Sequence, residues 1–333
     1  MDNITLSHGS GGKMMHRLIS DLIVPSFQMD TILTDSAVIR LENGEVIAFS
    51  TDSFVVSPLF FPGGNIGDLA VNGTVNDLSM MGAVPRYLTA SFIIEEGFPR
   101  EQLERISESM AAAAGHAGVR IVSGDTKVVD RGKGDGIFIN TAGIGFIGSG
   151  VSLHPSNVRP GDRVILSGPV GSHGVAVMSE RVGLSFSPPV LSDTAALNGL
   201  VELMLSASRD IHAMRDPTRG GLATTLKEIA QDCGCGIAID EKEIPVDPGV
   251  AGACDLLGLD PLYVANEGVL VAFVSEDVSE FLLRTIRAHP LARRARVIGE
   301  VTEANAGRVL LRTKVGGTRL MEMLSGEQLP RIC

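Results

Sequence analysis

Gly67-Asp68-Leu69-Ala70-Val71-Asn72-Gly73-Thr74-Val75-Asn76-Asp77-Leu78-Ser79-Met80-Met81-Gly82 is the stretch on which the fold turns. Its periodicity predicts a helix over 67–82. Asp68, Asn72 and Asn76 are four apart and form one polar stripe. Leu69, Val71, Val75, Leu78 and Met81 fall mostly elsewhere on the cylinder. A solvated helix face is normally rich in Lys and Glu, whereas this stripe carries one charge, Asp68, with Asp77 beside it. The pattern predicts a helix that lines a polar site.

Strand patterns flank this helix. Residues 35–39 and 45–52 alternate and carry an aspartate at one end, Asp35 and Asp52, where a strand hands over to a loop and carboxylates can converge. An amphipathic helix follows, with Leu103, Ile106 and Met110 inside and Glu101, Glu104 and Glu108 outside. Residues 121–129 read as a buried strand containing Gly124-Asp125-Thr126-Lys127. Asp125 and Lys127 are offered for a cation and a phosphate. Residues 137–142 form another strand. Gly143-Ile144-Gly145-Phe146-Ile147-Gly148 matches G-x-G-x-x-G, but Ser149-Gly150-Val151 and a loop follow instead of a helix. The dipole that would hold a pyrophosphate is missing, so the match is discounted.

At the other end of this half, His8-Gly9-Ser10-Gly11-Gly12-Lys13 enters a helix marked by Met14, Met15, Leu18, Ile19 and Leu22. Met14 stands where a phosphate-binding P-loop needs Ser or Thr, so the segment reads as a mobile glycine loop with a lysine able to reach a phosphate.

Residues 151–160 form the expected domain boundary. Beyond them, residues 163–167 read as a strand and Gly168–Gly174 as a glycine-rich turn, either an anion cradle or a tight turn. Met214-Arg215-Asp216-Pro217-Thr218-Arg219-Gly220-Gly221 places a carboxylate, an arginine and two glycines at a helix start, which favours phosphate. Asn266-Glu267-Gly268 precedes the apolar strand 269–274, and Glu267 is a base or a turn residue. A hairpin turns at Gly316-Gly317. Periodicity ends at Ser325, and from there an arm of roughly 25 Å is expected to run loose to Pro330-Arg331-Ile332-Cys333. The α-carboxylate next to the Cys333 thiol raises its pKa, and Arg331 lowers it.

The 333 residues, 44% hydrophobic and 20% charged, with mean hydropathy +0.23, suffice for two ordinary domains or one large one and suit a turn-rich α/β enzyme. Twenty-eight basic against 39 acidic side chains give a net charge of −11 with no Trp, which argues against nucleic acid. No apolar run has membrane-spanning length, and no signal peptide pattern is present. Cys233, Cys235, Cys254 and Cys333 form no disulfide or zinc framework, so a reducing cytoplasm is expected. Aspartates at loop starts with basic neighbours suit Mg²⁺ shared with substrate phosphates, the mark of a nucleotide-dependent enzyme.

The chain resembles the hydrogenase maturation factor (HypE) family of the PurM-like, or aminoimidazole ribonucleotide synthetase, ATP-binding superfamily. The resemblance is carried by residues 8–13, 49–53, 58–67, 76–77, 124–129, 215–221, 265–268 and 330–333. It implies an α/β (α+β) two-domain fold whose N-terminal domain contributes strands to a dimer barrel. The expected segments are a glycine loop and helix over 1–34, an ATP-binding α/β domain over 35–150, a C-terminal α/β domain over 151–324 and a flexible carrier tail over 325–333. It implies an ATP-dependent carbamoyl dehydratase of the cytoplasm. In that activity a HypF-type carbamoyltransferase loads the terminal thiol, the thiocarboxamide is dehydrated to thiocyanate, and cyanide passes to iron on a HypC–HypD scaffold during nickel–iron hydrogenase assembly.

By the same resemblance, Asp35, Asp52, Asp77 and Asp216 are the expected Mg²⁺ ligands. Lys13, Asp52, Asn76, Asp77, Asp125, Thr126, Asp216 and Arg219 are the expected ATP contacts. Cys333 is the carrier, Glu267 the base and Lys127 the cation near the transferring phosphate. The carrier needs reach more than an acidic thiol, because another enzyme loads it. A selenophosphate synthetase would show a catalytic Cys or selenocysteine near the N-terminal glycine loop, and residues 8–17 contain none. A non-catalytic, ATP-gated scaffold is the alternative of another class.

Overall fold

The computed structural model describes residues 3–29, 33–324, 326, 329 and 331–333. Along the first half run α1 (Lys13–Leu18), α2 (Val24–Phe27), β1 (Ala37–Arg40), β2 (Val46–Phe54), β3 (Phe60–Phe61), β4 (Gly64–Asn65), α3 (Ile66–Met80), β5 (Ala83–Glu95), α4 (Arg100–Ala117), β6 (Arg120–Val129) and β7 (Ile137–Ile147). Five of the strands form a sheet in the order β1-β2-β7-β5-β6, antiparallel except for the parallel β5–β6 pair that α4 connects.

α3 starts where Asn65 and Asp68 cap each other. Asn65 Oδ1 accepts from Gly67 N at 2.8 Å, and Asp68 Oδ1 accepts from Asn65 N at 2.7 Å. The helix is buried over nearly its whole length, against the sheet on one side and α4 on another. Its glycines allow that approach. A Cβ on Gly67 would lie 2.4 Å from Ile106 O, and one on Gly73 would lie 2.9 Å from the Phe54 ring.

The second half contains β8 (Arg163–Leu166), α5 (Ser172–Val182), α6 (Asn198–Ala207), β9 (Ile211–Arg215), α7 (Gly221–Cys233), β10 (Gly236–Asp240), α8 (Pro248–Leu257), β11 (Val271–Val274), α9 (Glu276–Ile286), β12 (Arg296–Thr302), β13 (Val309–Arg312) and β14 (Thr318–Met321). Its seven-stranded sheet runs β14-β13-β10-β12-β8-β11-β9. Val164, Ile165 and Leu166 are all fully buried because helices cover both faces. Val164 and Leu166 pack with Leu222 and Leu226 of α7. Ile165 packs with Leu200 of α6 and Leu282 of α9 on the opposite face. The architecture is the mixed α/β fold expected from the sequence.

One reading changes here and another holds. The strand expected to be buried at 121–129 is β6, an edge strand exposed along almost its entire length. Its apolar residues lie over a face that this single chain leaves uncovered. The glycine run 143–148 belongs to β7, where a Cβ on Gly143 would meet Leu88, Leu78 and Thr74 within 3 Å. Gly143 and Gly145 serve close packing, which agrees with discounting a dinucleotide site, and Gly148 lies beyond the strand.

No helix among the described residues is long and apolar enough to cross a membrane. The tail expected to run loose is docked over its described end. Leu329, Ile332 and Cys333 are buried in the same cluster as Val56, Val175 and Val264. Residues 325, 327, 328 and 330 of the expected tail, with residues 1 and 2 and 30–32 of the expected N-terminal segment, lie outside the described residues.

Candidate active site

Three carboxylates from distant parts of the chain converge between the two halves. Asp35 precedes β1, Asp77 lies in the last turns of α3, and Asp216 follows β9. One oxygen of each lies within 4.8 Å of the others. Ser50 of β2 places its hydroxyl 2.8 Å from Asp77 Oδ2 and 3.1 Å from the Asp35 carbonyl, so one proton serves two acceptors. Arg215 forms ion pairs with Asp35 at 2.6 Å and with Glu228 of α7 at 3.2 Å.

Burial and mutual repulsion raise all three acids. Asp35 is pushed up to about 8 by burial, against the opposing pull of Arg215. Asp216 rises to about 6 for the same reason, again with Arg215 opposing. Asp77 stands well above the usual carboxylate range through burial and the charges of Asp216, Asp52 and Asp35. Asp35 Oδ2 is buried without a hydrogen-bond partner. An all-oxygen donor set of three carboxylates, with Arg215 beside it, fits a hard divalent cation such as Mg²⁺.

Asp52 of β2 stands apart from this trio. It accepts from Ser53 N at 2.7 Å and lies 4.0 Å from Arg219 Nη2. It lines the same cavity of about 700 Å³, as do Arg219, Glu267 and Cys333. The glycine loop closes one side. Gly11, at φ +76°, would bring a Cβ within 2.6 Å of Arg219 Cβ, a conformation and an approach that suit glycine alone. Lys13 points away from the acids and pairs with Glu322 at 3.8 Å.

Glu267 is 2% exposed, and its Oε1 has no hydrogen-bond partner. Burial and the charges of Asp216, Asp193 and Asp52 hold it well above the usual range, while Arg219 pulls the other way. Its main chain is fixed from two sides. Asp193 Oδ2 accepts from Glu267 N at 3.2 Å and from Gly268 N at 3.0 Å. Asn76 Nδ2 donates to Glu267 O at 3.2 Å and to Ala195 O at 3.0 Å, while its Oδ1 accepts from Leu197 N at 2.8 Å.

Both Asn76 amide protons and its oxygen are therefore used in tying α3 to the second half, where a nucleotide contact was expected. Asn72 does the same through Thr194 Oγ1 at 3.2 Å. Asn72 and Asn76 of the polar stripe form an inter-domain seam, Asp68 caps the helix and accepts from Ser109, and the face lining the cavity is that of Gly73 and Asp77.

The chain end enters this cavity with its main chain bonded to residues 55 and 57. Ser57 N and Arg181 Nη2 donate to Arg331 O at 3.2 and 2.8 Å, and Val55 N donates to Cys333 O at 3.1 Å. Arg331 pairs with Asp135 and donates to Val55 O at 3.0 Å. The cation that faces the thiol is therefore Arg219, where the sequence suggested Arg331. Burial pushes the Cys333 thiol up to about 12, with Glu267, Asp52 and Asp216 adding to the rise and Arg219 opposing it. The docked sulfur is a thiol at neutral pH.

Asp125, Thr126 and Lys127 are not brought to this cavity by their own chain. They lie on β6, three strand positions and so about 14 Å across the sheet from β2. There Lys127 pairs with Asp125 at 2.6 Å, both exposed. The structure also adds residues that the sequence reading did not single out: Arg215 and Glu228 beside the acids, Asp193 under Glu267, and His173 and Arg181 on the tail. Arg215 sits next to Asp216 in the quoted segment, and His173 lies in the glycine-rich turn 168–174. Neither signal reveals a partner so remote in sequence.

Residues 33–147 match the N-terminal domain, and residues 159–312 the C-terminal domain, of AIR synthase related proteins. Fold and acidic cleft thus define a two-domain protein of the PurM-like superfamily. The carbamoyl dehydratase HypE of Cupriavidus necator is 53% identical over 99% of this chain and 95% of its own length. A crystal structure of HypE in complex with ATP has a TM-score of 0.85 at 49% identity, covering 99% of this chain and 100% of that one. The structure of a HypE–HypF complex has a TM-score of 0.87 at 47% identity, covering 92% and 99%. The chain belongs to the HypE family of hydrogenase maturation proteins.

Proposed function

We propose that this protein is an ATP-dependent carbamoyl dehydratase acting on a carboxamide carried by its own Cys333. The product is a thiocyanate that supplies the cyanide ligand for the iron of nickel–iron hydrogenase. One observation carries this reading: the terminal thiol, the three-aspartate cluster and the buried Glu267 share a single cavity. HypE relatives carry the dehydratase name, and one is known in complex with ATP.

The oxygen of an amide is a poor leaving group, and phosphorylation by ATP makes it a good one. The thiocarboxamide and ATP become thiocyanate, ADP and inorganic phosphate: the C–O bond breaks, a C≡N bond is completed and both amide N–H protons depart. Asp35, Asp77 and Asp216, with Asp52 at the rim, are the residues to hold Mg²⁺, which when bound neutralises charge on the phosphates. Glu267 is the base for an amide proton. Burial and its acidic neighbours raise its pKa, which favours a proton acceptor over an ordinary carboxylate. Arg219, between the thiol and Asp52, is placed to meet negative charge on the carboxamide oxygen or the phosphate. Asn76 acts on this site by holding the Glu267 backbone.

The exposed edge β6, with Ile121, Val122 and Val128 in solvent, supports a homodimer. Asp125, Thr126 and Lys127 would then meet phosphate only across that contact, and Lys13 only after leaving Glu322. The tail leaves its dock to receive the carboxamide from a HypF-type carbamoyltransferase, and again to deliver cyanide to the HypC–HypD scaffold. We assign the chain to the cytoplasm. With domains of 35–150 and 151–324, the cavity lies between the two, with the glycine loop of 1–34 and the tail of 325–333 also lining it.

The test uses protein carbamoylated at Cys333. With Mg²⁺ and ATP, the C-terminal peptide is expected to lose the mass of one water in step with ADP formation. ATP turnover without that mass loss would refute the dehydratase reading. Cys333→Ala is expected to bind ATP and accept no carboxamide.

A further inference from the structure

His173 lies in the first turn of α5, fully buried, with its ring edge-on to Phe61 at 5.3 Å between centroids. It belongs neither to the acidic cluster nor to the base. Its Nε2 lies 2.8 Å from the carbonyl oxygen of Ile332, the residue before the terminal cysteine. Its Nδ1 lies 2.8 Å from Ser192 Oγ.

These contacts determine where the protons sit. A carbonyl oxygen only accepts, so Nε2 carries the hydrogen. Burial lowers the imidazole pKa to about 4, so the ring is neutral and Nδ1 is an acceptor. Ser192 therefore donates its hydroxyl proton to Nδ1, while its oxygen accepts from Thr194 N at 3.1 Å. The result is a directional chain from Thr194 N–H through the Ser192 hydroxyl and the imidazole to the Ile332 carbonyl.

The same short segment touches the base. Asp193, between Ser192 and Thr194, accepts from the main-chain N–H groups of Glu267 and Gly268. Thr194 Oγ1 accepts from Asn72 of α3. Three consecutive residues thus register the tail, the base and the helix that bears Asp77. Main-chain N–H groups of 55 and 57 hold the carbonyls of Cys333 and Arg331. The carbonyl of Ile332, between them, meets His173 instead.

We propose that His173 is a positioning residue of the carrier tail: oriented by Ser192, its Nε2–H clamps the Ile332 carbonyl and sets Cys333 in register with Glu267. The catalytic meaning of that register rests on the dehydratase reading. The clamp itself does not.

The test measures native-state labelling of full-length protein by N-ethylmaleimide without nucleotide, with each cysteine peptide followed by mass spectrometry. Loss of one buried hydrogen bond to the tail is expected to raise the Cys333 rate about tenfold in His173→Phe, equivalent to about 1.4 kcal/mol. Phenylalanine keeps the ring contact with Phe61 and removes both nitrogens. His173→Gln, which retains a donor near the Nε2 position, is expected to label close to wild type. Ser192→Ala should rise about threefold.

Buried Cys254 reports global unfolding. If it accelerates together with Cys333 in His173→Phe, the selective rise in Ser192→Ala becomes the deciding measurement. Unchanged Cys333 labelling in Ser192→Ala and in a folded His173→Phe would overturn the clamp, as would a glutamine variant that behaves like phenylalanine. In the single-turnover dehydration of carbamoylated protein, His173→Phe should slow the mass loss about tenfold at unchanged ATP affinity. Wild-type protein that labels as expected but loses no water would refute the dehydratase and leave the clamp standing.

Discussion

Replacing Asn76 by alanine separates a nucleotide ligand from an inter-domain fastener. The side chain is fully buried and makes three hydrogen bonds, to Ala195 O, Glu267 O and Leu197 N. Alanine removes them and leaves the Ala195 carbonyl and the Leu197 N–H without partners, while Glu267 O keeps a bond from Ala195 N at 3.3 Å. A neutral hydrogen bond is worth about 1 kcal/mol net, and a buried group left unpaired costs about 1–3 kcal/mol. Partial relaxation and water entry reduce the sum, so a loss of about 3–5 kcal/mol is expected. At about 2 °C per kcal/mol for a chain of this size, the melting temperature should fall by about 6–10 °C. The protein has no Trp, so the melt is best followed by circular dichroism or a dye, alongside calorimetric titration with ATP. Dehydration should fall with stability, because the Glu267 backbone loses one of its two supports. A variant melting within about 1 °C of wild type, yet binding ATP ten times more weakly, would refute the fastener and restore Asn76 as a ligand.

Other expectations concern charge and loop geometry. Asp35 and Asp216 bind protons more tightly in the folded protein, at about 8 and about 6, than as ordinary carboxylates. The native state therefore holds more protons than the unfolded chain from about pH 4 upward, and cation-free protein should melt at progressively lower temperature as pH rises towards 8. Mg²⁺ should reverse that trend, binding more tightly at pH 8 than at pH 6 with release of protons, measurable by calorimetry in buffers of different ionisation enthalpy. Glu267→Gln should slow dehydration of the carbamoylated tail by about 10²–10⁴-fold while ATP titrations stay near wild type. Gly11→Ala must leave φ +76° and relieve a 2.6 Å approach to Arg219 Cβ. A strain of about 1–3 kcal/mol should displace the loop, weakening ATP binding and exposing the N-terminal segment to limited proteolysis.

The sequence showed much of this site as parts. The helix 67–82 was legible because its alternation of apolar and polar residues is local, and α3 spans Ile66–Met80. Asp35, Asp52, Asp77, Asp216, Glu267 and Cys333 were all marked, and all line one cavity. The stripe Asp68, Asn72 and Asn76 was misassigned because polarity marks a demand for partners without saying whether protein or ligand meets it. Here Asn76 meets main-chain groups of 195, 197 and 267, Asn72 the Thr194 hydroxyl, and Asp68 Asn65 N and Ser109 Oγ, while the face bearing Gly73 and Asp77 meets the cavity. The strand 121–129 was read as buried because its apolar content is high, whereas burial depends on whether another layer covers it.

Sequence alone determined the elements, the two-domain α/β class, the acidic character of the cleft and the thiol at the chain end, because these depend on near neighbours and residue identity. Tertiary structure decided which acids meet: Asp35, Asp77 and Asp216 converge, Asp52 turns to Arg219, and Asp125 stays on the far edge of the sheet. It also decided that Arg219 and not Arg331 faces the thiol, and that the tail is held by His173. Periodicity fixes where a side chain points relative to its own helix or strand. What it meets there is set by how remote segments pack, and burial then sets how strongly the charges act on one another.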